Sequence, residues 1–196
     1  VIIRKPASNG YEEYDPLMLQ GHLDMVCEKN PDVEFDFQTQ GIETYVDEEG
    51  KLRAKGTTLG ADDGMGVAEM LAILADDTLA HPALDCVFTV QEEVGLFGAL
   101  GMDKLLLRAH RMISLDGGGE TCTAISSAGG VNAITTIPVE RTECTKPVYS
   151  LKVTGLTGGH SGGEIHKEKG NANKLVSRIC KEMMKDGLDV SLISVN

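Results

Sequence analysis

Residues 17–24 read Leu-Met-Leu-Gln-Gly-His-Leu-Asp, a short apolar run that stops at a glycine. A run of this kind is typical of a buried strand that opens into a loop. His22 and Asp24 follow the glycine closely. The stretch therefore predicts a strand that ends in two polar side chains at one edge of a sheet.

Two further apolar runs end in acidic residues. Residues 85–90 lead into Glu92 and Glu93, and residues 111–115 lead into Asp116. Their β-branched and aromatic side chains favour buried strands. We expect these two strands to bring their carboxylates to the same edge as the first strand.

A helix is predicted between the first two strands. From Gly64 to about Asp76, apolar residues recur at i, i+3, i+4 and i+7, which indicates one apolar face packed on a sheet. Residues 45–54 predict a hairpin around a glycine turn. Strands alternating with helices indicate an α/β fold with parallel strands, whose ligand site lies beyond the carboxyl ends of the strands.

The composition changes at residues 117–131, where glycines separate small polar residues. We therefore predict one domain over residues 1–130 and a second over 131–196. In the second domain the patterns predict three strands and a helix that ends before Gly187, over residues 133–139, 147–154, 188–195 and 171–186, respectively.

The composition limits the classes of partner. Thirty acidic and eighteen basic residues give a net charge of −12, which disfavours nucleic acid and anionic membranes. The five cysteines form no Cys-x-x-Cys pair, which favours free thiols in a reducing cytoplasm. The sequence has no signal-peptide pattern and no apolar run of about 18 residues, so we expect a soluble cytoplasmic protein. The chain opens at Val1 without an initiator Met, and we expect it to be a piece of a longer protein.

Four short stretches carry the candidate chemistry, at 22–24, 60–64, 92–93 and Asp116. Each alone is typical of a polar loop, a helix cap or a solvated surface. Brought to one sheet edge, their carboxylates would repel one another, and divalent ions relieve that repulsion. Imidazole with carboxylates suits zinc, and also cobalt or manganese. One glutamate of 92–93 can then act as general base, provided that the chain bends enough for both to face inward.

Together with residues 56–62 and 158–166, these stretches resemble the aminoacyl-histidine dipeptidases. These are a carnosinase-like branch of the dinuclear zinc metallopeptidases, which also include carboxypeptidase G and tripeptidase T. The sequence Gly-Gly-His-Ser-Gly-Gly-Glu-Ile-His at 158–166 is specific to the dipeptidase branch. The resemblance implies a zinc-exopeptidase-like catalytic domain, a mixed sheet flanked by helices, followed by the start of a smaller α+β lid domain.

The resemblance also implies a set of metal ligands. His22 and Asp116 would hold one ion, Asp62 would bridge two ions, and Glu93 would hold the other. Asp62 is preferred to Asp63 as the bridge because the family pattern puts its carboxylate first. Two divalent ions are therefore expected, with zinc favoured.

Three more residues receive roles from the resemblance. Glu92 would be the general base, and Asp24 would hold the His22 ring, since ligating imidazoles commonly donate their second N–H to an acceptor. His160 resembles a lid histidine that helps to bind substrate or to polarise the scissile carbonyl. In many relatives it reaches the site across a dimer, so a homodimer is a candidate assembly.

The activity implied is hydrolysis of dipeptides, with Xaa-His as the substrate class. A tripeptidase, an N-acyl amino acid deacylase and a non-catalytic metal-binding module stay open as alternatives. The family takes a final metal-binding histidine from a later part of the catalytic domain, and no candidate follows His166. We therefore expect the C-terminal half of both domains to be absent and the isolated piece to be inactive.

Overall fold

The computed structural model describes residues 1–119, 121–127, 129–131, 133–159 and 163–195. The chain divides into two compact units, Val1–Ala124 and Ile125–Asn196. The domain boundary between residues 130 and 131 stays a prediction. No helix among the described residues is long and apolar enough to cross a membrane.

Four strands come first, and strands and helices alternate from the first helix onward. In chain order they are β1 (Ile2–Lys5), β2 (Leu17–His22), β3 (Thr44–Val46), β4 (Leu52–Ala54), α1 (Ala61–Ala75), β5 (Leu84–Thr89), α2 (Phe97–Leu100), β6 (Arg111–Ser114) and α3 (Ala172–Lys185), with short 3-10 helices at Lys104–Leu106 and Ile165–Lys167. The expected α/β class is confirmed.

The first unit is built on a four-stranded mixed sheet of order β1-β5-β2-β6. β2 pairs in parallel with both β5 and β6, while β1 pairs antiparallel with β5 at the edge. His22 lies opposite Thr89 in the parallel register. The carboxyl ends of β2, β5 and β6 therefore meet at one edge of the sheet, as the sequence predicted.

The core lies on both faces of this sheet. On one face α1 packs over β2 and β5, and on the other face a smaller cluster forms around Met18 and Val87. All six residues of β5 are buried, which explains why its apolar residues Cys86, Val87 and Phe88 follow one another without alternation. The α1 cluster consists of Leu19, Met70, Leu84, Cys86 and Phe88.

Two polar interactions hold the periphery of the core. The Lys5 ammonium donates to the carbonyls of Ile73, Leu74 and Asp76 at 2.9, 3.2 and 2.6 Å, so β1 caps the end of α1. Asp85 is fully buried in β5 and accepts hydrogen bonds from the side chain and the main chain of Arg108. Such partners offset the cost of burying a carboxylate.

The elements predicted for the first unit are confirmed. The predicted strands 17–20, 85–90 and 111–115 correspond to β2, β5 and β6, and the predicted helix corresponds to α1. β3 and β4 pair antiparallel, which confirms the hairpin.

The second unit differs from the prediction. Its helix is confirmed as α3, which Asn171 caps by accepting from the Lys174 N–H at 2.9 Å, and which Gly187 follows with a φ of +86°. The three predicted strands are wrong, because the described residues of 133–139, 147–154 and 188–195 form none. A run of apolar residues becomes a strand only where a neighbouring edge supplies hydrogen bonds and a surface to cover it. Ile134 is 93% exposed, and most of the other apolar residues of these runs are also exposed.

Candidate metal centre

His22 lies at the end of β2 with its side chain only 1% exposed. Its Nδ1 is 2.8 Å from the main-chain carbonyl oxygen of Asp24, which can only accept, so Nδ1 carries a hydrogen. In the neutral ring, the Nε2 lone pair then faces Oδ1 of Asp62 at 3.1 Å. A neutral ring nitrogen and a carboxylate oxygen at this distance need either a proton or a metal cation between them. Ligands about 2.0 Å from a tetrahedral zinc ion lie about 3.3 Å apart, so the pair fits a shared ion.

The start of α1 turns two adjacent carboxylates in different directions. The peptide bond between Asp62 and Asp63 is cis. The Asp62 side chain is 71% exposed and reaches Nε2 of His22. Asp63 is only 3% exposed and accepts a hydrogen bond from the His22 N–H at 3.1 Å. One carboxylate therefore faces the candidate site, while the other lies beneath it.

The chain bends sharply after β5. Gln91 has a φ of +57°, and the N–H groups of Gly95 and Leu96 both donate to the Glu92 carbonyl. Glu92 and Glu93 are both half-buried. The bend removes the strict alternation of a strand, which would have sent these two side chains to opposite faces.

The structure brings together the four residues proposed as ligands. One ligand atom from each of His22, Asp62 and Glu93 lies within 4.8 Å of the other two. Oδ1 of Asp116 lies 4.0 Å from Nε2 of His22. His22, Asp62 and Glu93 therefore surround one small volume, and Asp116 lies beside His22. Imidazole with carboxylates is a donor set that suits zinc.

The electrostatics of the site reflect crowded negative charge. Burial, followed by the charge of Asp62, raises the pKa of Asp116 to about 6. Burial and the same neighbour also raise the pKa of Glu93. Burial lowers the pKa of His22, but its contacts with Asp62 and the Asp24 carbonyl outweigh this and raise it overall. A bound cation would stabilise the ionised carboxylates.

Asp24 and His160 also received roles from the family resemblance. Nδ1 of His22 is 3.7 Å from the Asp24 carboxylate, so the main-chain oxygen of Asp24, rather than its side chain, makes the short contact with the ring. The role assigned to the Asp24 carboxylate stays a prediction. His160 lies outside the described residues.

Sequence reasoning gave Asp63 no role, yet it is the buried member of its pair. The available signal was the glycines Gly21 and Gly66. A Cβ at either position would overlap the Asp63 carboxylate. A glycine inside a helix is unfavourable unless packing requires it, and Gly66 lies inside α1.

The sequence model of peptidase family M20/M25/M40 matches residues 18–177 of the chain. These residues include all four proposed ligands. The chain belongs to this family. Peptidases of the M20 family are metal-dependent, in agreement with the donor set around His22.

Relatives of this M20 chain include named peptidases. The cytosol non-specific dipeptidase of Escherichia coli K12 is 42% identical over 198 residues, covering 100% of the chain and 40% of the relative. Peptidase T of Salmonella paratyphi C is 39% identical over 80 residues, covering 39% of the chain and 18% of the relative. The chain therefore spans less than half the length of either relative.

A solved structure also matches most of the chain. The aminoacylhistidine dipeptidase of Vibrio alginolyticus superposes with a TM-score of 0.60 and 33% identity, covering 91% of this chain and 36% of that one. The fold of the M20 chain is thus that of part of a peptidase.

Proposed function

We propose that this protein is a metal-dependent dipeptidase. The observation that carries the proposal is the group formed by His22, Asp62 and Glu93, whose ligand atoms lie within 4.8 Å of one another. The 42% identity with a bacterial dipeptidase over the whole chain supports the same activity.

We assign two divalent ions to the centre, zinc first and cobalt or manganese as alternatives. His22 and Asp116 hold one ion, Asp62 bridges, and Glu93 holds the other. The separation of 3.1 Å between Nε2 of His22 and Oδ1 of Asp62 supports a shared ion. When bound, such ions lower the pKa of a water molecule and polarise the scissile carbonyl.

Glu92 acts as general base in this proposal. It accepts a proton from the attacking water and returns it to the leaving amine. Its N–H donates to the carboxylate of Asp24 at 3.1 Å, which fixes the main chain from which its side chain extends. Asp24 thereby supports the general base as well as the ring of His22.

We propose a dipeptide with a C-terminal histidine as the substrate, His160 as a substrate-binding residue, a homodimer as the assembly and the cytoplasm as the location. The Vibrio protein to which the chain is similar is an aminoacylhistidine dipeptidase, which supports the substrate class. The five cysteines are all free, which supports a reducing compartment. The acidic charge of −12 supports a protein that binds neither nucleic acid nor membrane.

The decisive experiment has two arms. In the first, the chain is dialysed against trace zinc, and its metal content is measured beside His22→Ala and the exposed-site control His110→Ala. We expect at least one zinc in the chain and in the control, and less in His22→Ala. A chain without bound metal would contradict the proposed centre.

The second arm measures turnover in a chimera in which this chain replaces the aligned segment of the E. coli dipeptidase. We expect hydrolysis of Xaa-His dipeptides such as carnosine. Glu92→Gln in the chimera should lower kcat by about 10²–10⁴-fold with metal still bound. If Glu92→Gln turned over normally, the general base would be another group, and no turnover in a metal-loaded chimera would favour a non-catalytic module.

A further inference from the structure

The buried carboxylate of Asp63 connects two elements of the candidate centre. It accepts a hydrogen bond from the main-chain N–H of His22 at the end of β2, at 3.1 Å. The main-chain N–H of Gly66 in the first turns of α1 lies near the carboxylate and favours its ionised form, which acts to lower its pKa. Asp63 belongs to α1 and is only 3% exposed, so its hydrogen bond to His22 forms a buried link between strand and helix.

The surroundings of this carboxylate leave little room for it to move. Gly21 lies on one side and Gly66 on the other, and an added Cβ at either position would overlap a carboxylate oxygen of Asp63. At Gly21 a Cβ would also come within 3.1 Å of the Met70 side chain. The two glycines thus form a cradle that admits the carboxylate in one place.

The link joins the backbones of two proposed ligands. His22 itself provides the N–H that Asp63 binds, and Asp62 is the residue directly before Asp63. The distance from Nε2 of His22 to Oδ1 of Asp62 therefore depends on where the Asp63 carboxylate holds the end of β2. The contact between His22 and the Asp24 carbonyl orients the ring but does not involve α1.

We propose that Asp63 is a positioning residue of the metal centre, which sets the separation of His22 and Asp62 by hydrogen-bonding the His22 main chain. The inference rests on the proposed function, because it requires that these two residues share an ion. Asp63 touches neither metal nor substrate in this role. The chemistry it supplies is an acceptor oxygen at a fixed place.

The test measures metal affinity and coordination geometry in the 196-residue chain. Zinc affinity is measured by competition with a chromogenic chelator, and coordination by the visible absorption of the Co²⁺-loaded chain. The variants are Asp63→Leu, which removes the acceptor at similar size, and Asp63→Asn, which keeps one acceptor oxygen. The matched control is Asn171→Ala, which removes the N-cap of α3, a helix of the second unit.

We expect Asp63→Leu to lower zinc affinity by about 10–100-fold and to change the Co²⁺ spectrum, since partners of metal ligands have effects of this size. Asp63→Asn should stay within about threefold of the parent chain and retain its spectrum. Asn171→Ala should leave both unchanged. If Asp63→Leu does not fold by circular dichroism, Asp63→Ala takes its place, because it removes the acceptor without adding bulk.

The outcomes separate the inference from the proposed function. A parent chain that binds no metal overturns both. A parent chain that binds zinc, with folded Asp63→Leu or Asp63→Ala of equal affinity and spectrum, overturns the inference alone. The inference also falls if Asn171→Ala weakens binding as much as Asp63→Leu, or if Asp63→Asn fails as badly as Asp63→Leu.

Discussion

Asp24 is joined to Glu92 by a hydrogen bond of 3.1 Å, which the Glu92 N–H donates to Oδ1 of the Asp24 carboxylate. The Glu93 N–H donates to the second oxygen of the same carboxylate, also at 3.1 Å. Burial alone would raise the pKa of Asp24, but these two N–H groups lower it overall. One carboxylate thus holds the main chain of both acidic residues after β5.

This relationship predicts the effect of Asp24→Ala in the chimeric dipeptidase. We expect kcat to fall by about 10–100-fold, because the segment that carries Glu92 loses its anchor. Zinc affinity should fall less, because Nδ1 of His22 binds the main-chain oxygen of Asp24, which the substitution keeps. Steady-state kinetics and zinc competition measure the two effects. Asp24→Asn, which retains one acceptor, should have a kcat between those of the parent chimera and Asp24→Ala. Full activity of Asp24→Ala would contradict the anchoring role.

Metal removal should lower the thermal stability of the chain. A ligand that binds only the folded state at about 100 times its Kd stabilises by about 2.7 kcal/mol, or about 5–10 °C in a chain of this size. Differential scanning calorimetry with zinc and then with excess EDTA measures the shift. His22→Ala should abolish it, whereas the exposed His110→Ala should not. An equal shift in His22→Ala would place the zinc elsewhere.

The elements around the centre could be predicted from sequence because their apolar patterns have partners. β2 and β5 are each covered on both faces, and the stripe on α1 packs against the sheet. The second unit shows the opposite case. Ile137 and Tyr149 belong to apolar runs that predicted strands, yet they are 71% and 87% exposed. The composition of a run does not say whether an edge exists for it to pair with.

The proximity of the candidate ligands could be predicted from the sequence, but their individual contacts could not. Strand ends delivered His22 and Asp116 to one edge, as parallel pairing requires. The sequence of two adjacent aspartates could not show which carboxylate is buried beneath the site, and the structure shows that it is Asp63. The bend at Gln91 could not be predicted either, because a residue other than glycine seldom takes a positive φ.

The ion pair between the buried Asp85 and the exposed Arg108 predicts a pH dependence of folding. Burial alone would raise the pKa of Asp85, but the hydrogen bonds from Arg108 lower it overall. The unfolded chain therefore binds the proton more readily than the folded one, so stability rises with pH in this range. The contribution is present above about pH 4 and is lost as the pH falls through the depressed pKa.

Asp85→Asn tests this relationship. We expect the free energy of unfolding at pH 7 to fall by about 2 kcal/mol, because charge-assisted hydrogen bonds are lost. Urea unfolding from pH 7 down to pH 3 should show a smaller loss of stability in Asp85→Asn than in the parent chain. Parallel pH curves for the two proteins would mean that another group titrates.

The contact of Lys5 with the end of α1 predicts a stability effect far from the metal centre. Its ammonium donates to three carbonyls that have no partner inside the helix at its end, and its side chain is only 13% exposed. Lys5→Met keeps the apolar stem but removes the donors and the favourable charge at the helix C-terminus, so we expect a loss of about 1–2 kcal/mol. Lys55→Met is the matched control, because the ion pair of Lys55 with Glu43 is exposed and contributes little. Urea unfolding measures the free energy of unfolding of both variants. Because Lys5 contacts the end of α1 that lies away from the metal centre, zinc affinity should stay unchanged in Lys5→Met.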